Sequence, residues 1–170
     1  MKKTILKIFL SIISFVLYSC TVSYSFSGGK DLHPSIKTIT IEYFPNRASL
    51  VQPSLSNVFT ENLKNKFISQ TNLELINYGG DIIFEGEITN YDVAAQSYQG
   101  NETAAFNRLT ISIKVKFTNT VEPQKSFEQT FTRYADFESS LSLMAVEDDL
   151  IQEICDEIIV DIYNRSVVNW

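Results

Sequence analysis

Histidine and cysteine are nearly absent from this chain, and that scarcity excludes most catalytic chemistry. His33 is the only histidine among 170 residues. It stands beside Pro34 in a polar N-terminal stretch, a poor platform for the general base of a Ser-His-Asp arrangement. Cys20 and Cys155 are the only cysteines, so no pair of cysteines or histidines has the spacing of a metal site. No catalytic residue, metal or cofactor is therefore expected. The Gly79-Gly80 pair lacks the Lys and Ser/Thr of a phosphate loop and precedes a strand rather than a helix. Glu85 and Glu87 share one strand face, where solvent-facing carboxylates are commoner than a catalytic pair. Positive charge is also in short supply: 14 Lys+Arg stand against 20 Asp+Glu, a net charge of −6. An acidic domain is a poor candidate for sequence-independent nucleic-acid binding, which needs a basic face. No apolar run is long enough to span a bilayer, which takes about 20 residues; the N-terminal one reaches only from Ile8 to Leu17.

What surrounds that short run is informative. Lys2, Lys3 and Lys7 precede or open it, and Leu17-Tyr18-Ser19-Cys20 closes it. A basic start, a short apolar stretch and a small residue before the cleavage point read as a secretory signal over residues 1–19. A cysteine directly after the small residue matches a bacterial lipobox, which predicts lipidation of Cys20. The alternative is an ordinary signal peptide with a cysteine there by chance. Several acyl chains anchor stably, because each buried methylene contributes about 0.8 kcal/mol. Cleavage would remove three of the 14 basic residues and none of the 20 acidic ones, leaving a single, more acidic domain of a size that supports one core. With Cys20 lipidated, Cys155 has no partner for a disulfide. Its place between Ile154 and Ile158 suits a small buried hydrophobe.

Residues 20–34 read as a lipidated terminus and tether, rich in Ser, Gly and aromatics and closed by Pro34. Fully extended, residues 21–34 reach on the order of 45 Å. Packing of Tyr24 and Phe26 against a membrane or a partner would shorten that. The folded domain spans residues 35–170. Ile39, Ile41 and Tyr43 alternate with polar residues as in a half-buried strand. Pro53 sits where a first helical turn begins. Leu55, Val58, Phe59, Leu63 and Phe67 follow at helical spacing. Leu73 to Ile76 is a short strand candidate. Gly79-Gly80-Asp81 turns into a strand in which Ile82, Phe84, Gly86 and Ile88 share a face. Gln96 to Asn107 reads as a loop. Leu109, Ile111, Ile113, Val115 and Phe117 then alternate with Thr110, Ser112, Lys114, Lys116 and Thr118. A turn at Pro123 leads to a returning strand through Phe127 and Phe131, making an antiparallel hairpin. Leu143, Val146, Leu150, Ile154, Ile158 and Ile162 mark a long helix, with Ser142 or Ser140 as its cap. Its outer face is acidic, which reads as solvated or as a docking surface for a basic partner. The order predicts an α+β fold: two helices on one face of a mostly antiparallel or mixed sheet of about four strands.

Lys114 and Lys116 project from one strand face; Arg108 precedes that strand and Lys125 begins its partner. Two readings stand. The lysines keep a strand face soluble and oppose aggregation, or the four cations form a patch for phosphate or carboxylate groups on an anionic glycolipid.

Several short stretches stand in a set order: Tyr24-Ser25-Phe26-Ser27-Gly28, Ile39 through Ala48 and Phe84-Glu85-Gly86-Glu87-Ile88. They are followed by Gly100-Asn101-Glu102-Thr103-Ala104, Asn107-Arg108-Leu109-Thr110, Phe127-Glu128-Gln129, Arg133-Tyr134-Ala135 and Val167-Val168-Asn169-Trp170. In that order they resemble the LptE family of lipopolysaccharide-assembly lipoproteins, in the branch found in Bacteroidota. The resemblance implies two helices against a four-stranded sheet and a lipid anchor in the periplasmic leaflet of the outer membrane. It also implies a place as a plug in the lumen of the LptD β-barrel, helping that barrel assemble and handling lipopolysaccharide. The choice of Arg108, Lys114, Lys116 and Lys125 as lipopolysaccharide contacts comes from side-chain direction, not from the family. The competing reading is a non-enzymatic periplasmic lipoprotein subunit, or a glycan-binding module, of another envelope complex.

Overall fold

A computed structural model describes residues 32–96 and 105–168. The signal peptide, Cys20, Tyr24, Phe26, the Gly100 to Ala104 stretch and Trp170 lie outside the described residues. The elements are β1 (Thr38–Ile41), α1 (Leu55–Gln70), β2 (Glu74–Leu75), β3 (Ile82–Gln96), β4 (Phe106–Asn119), β5 (Phe127–Glu138) and α2 (Leu143–Val167). The strands form one mixed sheet in the order β2-β1-β3-β4-β5. β1 runs parallel to both β2 and β3, while β3, β4 and β5 are antiparallel neighbours. The architecture is the α+β arrangement that the periodicity predicts, with five strands rather than about four. The fifth is β2, two residues drawn from the Leu73 to Ile76 segment.

Helical spacing puts Leu55, Phe59, Leu63 and Phe67 of α1 on one fully buried stripe. Helix α1 starts at Leu55, after Pro53, with Ser54 at its N-cap. Helix α2 buries Leu150, Ile151, Ile154, Cys155, Ile158, Ile159, Ile162, Tyr163 and Val167. Ser142 is its N-cap residue without a side-chain capping bond, and Ser140 instead donates to a Glu138 carboxylate oxygen at 3.2 Å. Burial, with Asp156 beside it, pushes the Cys155 thiol up to about 12, so it stays a protonated packing group. Phe67 links the layers: its ring centroid lies 4.8 Å from that of Phe84 on β3 and 5.3 Å from that of Tyr163 on α2.

The sheet differs from the sequence reading mainly in length. Strand β3 continues to Gln96, and β4 begins at Phe106. A bulge explains why alternation hides this. Ile88 pairs with Ile113 and Asn90 with Ser112, so Thr89 is the extra residue. Ile82, Phe84 and Ile88 face the core below the bulge, and Tyr91 and Val93 face it above. The Tyr91 hydroxyl donates to Glu147 of α2.

Two glycines allow close backbone approaches. At Gly86 an added Cβ would overlap the Lys114 carbonyl oxygen and lie 2.6 Å from Phe44 Cε1. Phe44 is fully buried, packs edge-on against Phe59 with centroids 5.1 Å apart, and its N–H donates to Thr60 Oγ1 at 3.2 Å. At Gly80 a Cβ would lie 2.7 Å from the Thr40 nitrogen. That approach lets the next residue, Asp81, bind the start of β1. One Asp81 oxygen accepts from Lys37 N at 2.8 Å, Thr38 N at 2.9 Å and Thr38 Oγ1 at 2.9 Å. The backbone donors of Lys37 and Thr38, then the Thr38 hydroxyl, lower the Asp81 carboxyl below its ordinary range.

Candidate functional site

Among the described residues the helices cover one face of the sheet and no element covers the other. Alternation on β4 sends Leu109, Ile111, Ile113, Val115 and Phe117 to the buried side. It sends Arg108, Thr110, Ser112, Lys114, Lys116 and Thr118 to the open side. Register then fixes what each cation meets. Lys116 stands opposite Glu85 on β3 and Glu128 on β5, and Lys114 opposite Glu87 and Thr130.

Each ammonium has an acidic partner. Lys116 Nζ lies 2.8 Å from a Glu85 oxygen, and Lys114 pairs diagonally with Glu128. These contacts, with Glu87 adding to the field at Lys114, raise the pKa of both lysines. Lys114 in turn lowers that of Glu128. A shallow concavity of about 240 Å³ is lined by Glu85, Gly86, Glu87, Lys114, Lys116 and Glu128. Two cations among three carboxylates make it locally acidic by one charge.

Arg108 shares the open face but stands six residues from Lys114, about 20 Å along the strand. Its guanidinium forms a two-pronged pair with Asp136 at 2.7 and 2.8 Å and lies 3.6 Å from the centroid of the Tyr134 ring. Lys125 is elsewhere. It belongs to a one-turn 3₁₀ helix, Pro123–Lys125, and pairs with Glu122 at 3.0 Å. With Gln124, Ser126, Arg165 and Ser166 it lines a separate concavity of about 150 Å³. The structure therefore brings Lys114 and Lys116 together, keeps Arg108 on their face at a distance, and sets Lys125 with Arg165. Arg165 also lies 4.9 Å over the Phe127 ring. No local signal marks it as a neighbour of Lys125, because the two meet only when the end of α2 reaches the β4–β5 turn.

A third concavity, about 480 Å³, opens between the helices and has a mixed lining, the polar Asn62, Asn65, Lys66, Ser69, Gln152 and Asp156 with the apolar Ile159 and Val160. Among the described residues no group of three or more His, Cys, Asp or Glu stands together to hold a metal ion, and no helix is long and apolar enough to cross a membrane.

A model of the lipopolysaccharide-assembly family LptE matches residues 36–166. The chain belongs to the LptE family. Its role accordingly lies in lipopolysaccharide assembly. Comparison with curated proteins finds no match. Among solved structures, a minor lipoprotein from Acinetobacter baumannii is similar, with a TM-score of 0.52 at 13% identity over 76% of this chain and 91% of that one. A protein from Chlamydia trachomatis also gives 0.52, at 10% identity over 78% of this chain and 99% of that one. One from Xanthomonas campestris gives 0.52 at 8% identity over 80% and 89%. At such identities the likeness establishes a shared fold. The same two-layer arrangement is thus built from largely different side chains.

Proposed function

We propose that this LptE-family member is a lipid-anchored outer-membrane protein that plugs the lumen of an LptD-type β-barrel and helps it assemble. In this reading it serves the insertion of lipopolysaccharide into the outer leaflet and catalyses no reaction. The observation that carries the reading, beside family membership, is the open sheet face. From Glu87 to Gln96 the outward positions of β3 are polar, charged or alanine, and they pair with Lys114, Ser112, Thr110, Arg108 and, at the far end, Phe106 of β4. A surface of that kind suits a hydrated barrel wall and does not suit burial in lipid.

Contact with lipopolysaccharide is assigned to the cations Arg108, Lys114, Lys116 and Lys125. The pairing of Lys114 and Lys116 does not preclude it. Exposed ion pairs contribute little, so a phosphate carrying about −1.5 to −2 charges can take over an ammonium at small cost. Cys20, which lies outside the described residues, is the proposed lipid attachment point.

Purification of the tagged full chain from native outer membranes in mild detergent tests the plug. A stoichiometric large β-barrel is the expected companion. Recovery without one, or with an unrelated envelope complex, would move the function to the periplasmic subunit or glycan-binding alternative.

A further inference from the structure

Strand β5 is an edge with nothing beside it among the described residues. It is the last strand in the sheet order. Its register with β4 runs unbroken from Phe106↔Glu138 to Phe117↔Phe127, so its free side is a regular row about 40 Å long. The direction of its backbone groups follows from one bond. The Ser139 N–H donates to the Ala105 carbonyl oxygen at 3.0 Å. In an antiparallel ladder, alternate residues then turn their N–H and C=O toward β4, and the intervening ones turn them away. Glu128, Thr130, Thr132, Tyr134, Asp136 and Glu138 thus present their backbone groups outward.

Exposed edges are normally blunted by proline, bulges or charges standing over them. Strand β5 has no proline or lysine and no bulge. Its charged side chains are drawn off the edge: Glu128 to Lys114, Asp136 to Arg108, Arg133 to Asp161 at 2.8 and 2.9 Å, and Glu138 to Ser140. The edge is also flanked by acid. β5 and α2 together carry ten carboxylates and two arginines. Glu153, Glu157 and Asp161 form an i, i+4 stripe whose last two members meet Arg133, and so stand over β5.

We propose that the β5 edge is a strand-addition site for an extended segment of a partner protein carrying Lys or Arg at alternate positions. Backbone groups of Thr130 to Glu138 would supply the ladder, and the α2 stripe would select the basic residues. A second copy of this chain is a poor occupant, because it would set two acidic surfaces side by side. The inference goes beyond the plug reading, since a plug could be held by side chains alone.

The test uses the full chain in its native envelope, with a photo-crosslinking amino acid at Thr132. The expected product joins Thr132 to one extended Lys/Arg-bearing segment of a partner. Thr130→Pro removes an outward N–H that β4 does not use, a position where a strand tolerates proline. It should cut that product at least tenfold while leaving thermal unfolding within a few degrees. Should Thr130→Pro fail to fold, the pair Glu153→Lys and Glu157→Lys carries the test with a loss of at least threefold. A cross-link to a second copy, to residues 20–31 of the same chain, or to no protein overturns the proposal, as does a yield indifferent to both variants. A product with a basic strand that is not part of a barrel supports the edge and counts against the plug. A co-purifying barrel without this product does the reverse.

Discussion

Replacing Gly86 by alanine is the sharpest test of how β3, β4 and the chain after β1 fit together. At an unconstrained strand position the change would stabilise by about 0.4–1 kcal/mol, because alanine has less freedom to lose on folding. Here the new methyl overlaps the Lys114 carbonyl oxygen, a backbone atom, and comes within 2.6 Å of Phe44 Cε1. Ordinary contact needs about 3.5 Å, and neither neighbour is a loose side-chain end. Overpacking of this kind costs about 1–3 kcal/mol. If Phe44 leaves its site instead, its lost burial costs about 1.5–3 kcal/mol. Either route predicts destabilisation by about 1–3 kcal/mol, or roughly 3–10 °C in melting temperature for a domain of this size. Urea unfolding of the soluble domain followed by circular dichroism measures it. Phe44→Leu placed on top should recover part of the loss, so that the two changes are non-additive. A Gly86→Ala protein as stable as the parent, or more so, would refute the close approach.

Alanine at both Lys114 and Lys116 should weaken binding to purified lipopolysaccharide severalfold and leave the urea midpoint nearly unchanged, as for exposed ion pairs; unchanged binding removes these two from the contact set. Asp81 gives a pH signature. Its carboxyl is lowered in the folded state, so its contribution is complete above the ordinary carboxylate range and is lost as pH falls through the lowered value. Asp81→Ala should cost about 1 kcal/mol at pH 7, with the gap to wild type closing under acid titration of unfolding; a gap constant to pH 2 would show that the carboxylate does not hold β1.

The helices and β4 were legible in the sequence because each buries one continuous stripe: Leu55 to Phe67, Leu150 to Ile162, Leu109 to Phe117. The upper halves of β3 and β5 were not. Thr89 shifts the alternation of β3 by one residue, and the polar Asn90, Asp92 and Gln96 then resemble a loop. On β5 the core-side positions Gln129 and Arg133 are polar, since Arg133 reaches past the core edge to Asp161. The direction of Lys114 and Lys116 follows from period two alone. Their carboxylate partners do not, because Glu85 and Glu128 come from strands whose register only the folded sheet sets. Lys125, expected to begin the partner strand, stands in the turn before it, for sequence proximity in a hairpin does not say on which side of the turn a side chain emerges.

The bulge at Thr89 also decides what the upper sheet can do. Below it, β3 is held on both sides: Glu42 N donates to Phe84 O at 2.9 Å, Ile88 N to Pro45 O at 3.0 Å, and Arg47 N to Ile88 O at 2.8 Å. Above it the chain from β1 has left, and among the described residues β4 is the one strand that pairs with β3. Were the alternation continued without the extra residue, Asn90 and Asp92 would turn to the helix side, and Tyr91 and Val93 to water. Two polar groups would then need partners in the core. The inserted residue returns Tyr91 to the helix side, where its hydroxyl meets Glu147, and keeps Asp92 on the open face. One strand thereby serves two packings. Its lower half completes a five-stranded sheet under both helices; its upper half joins β4 and β5 in a three-stranded ribbon under α2, with a largely hydrophilic face and a β5 edge that no described residue pairs with. Both surfaces assigned here to partners, the open face and that edge, depend on this ribbon being long, and its length depends on the bulge.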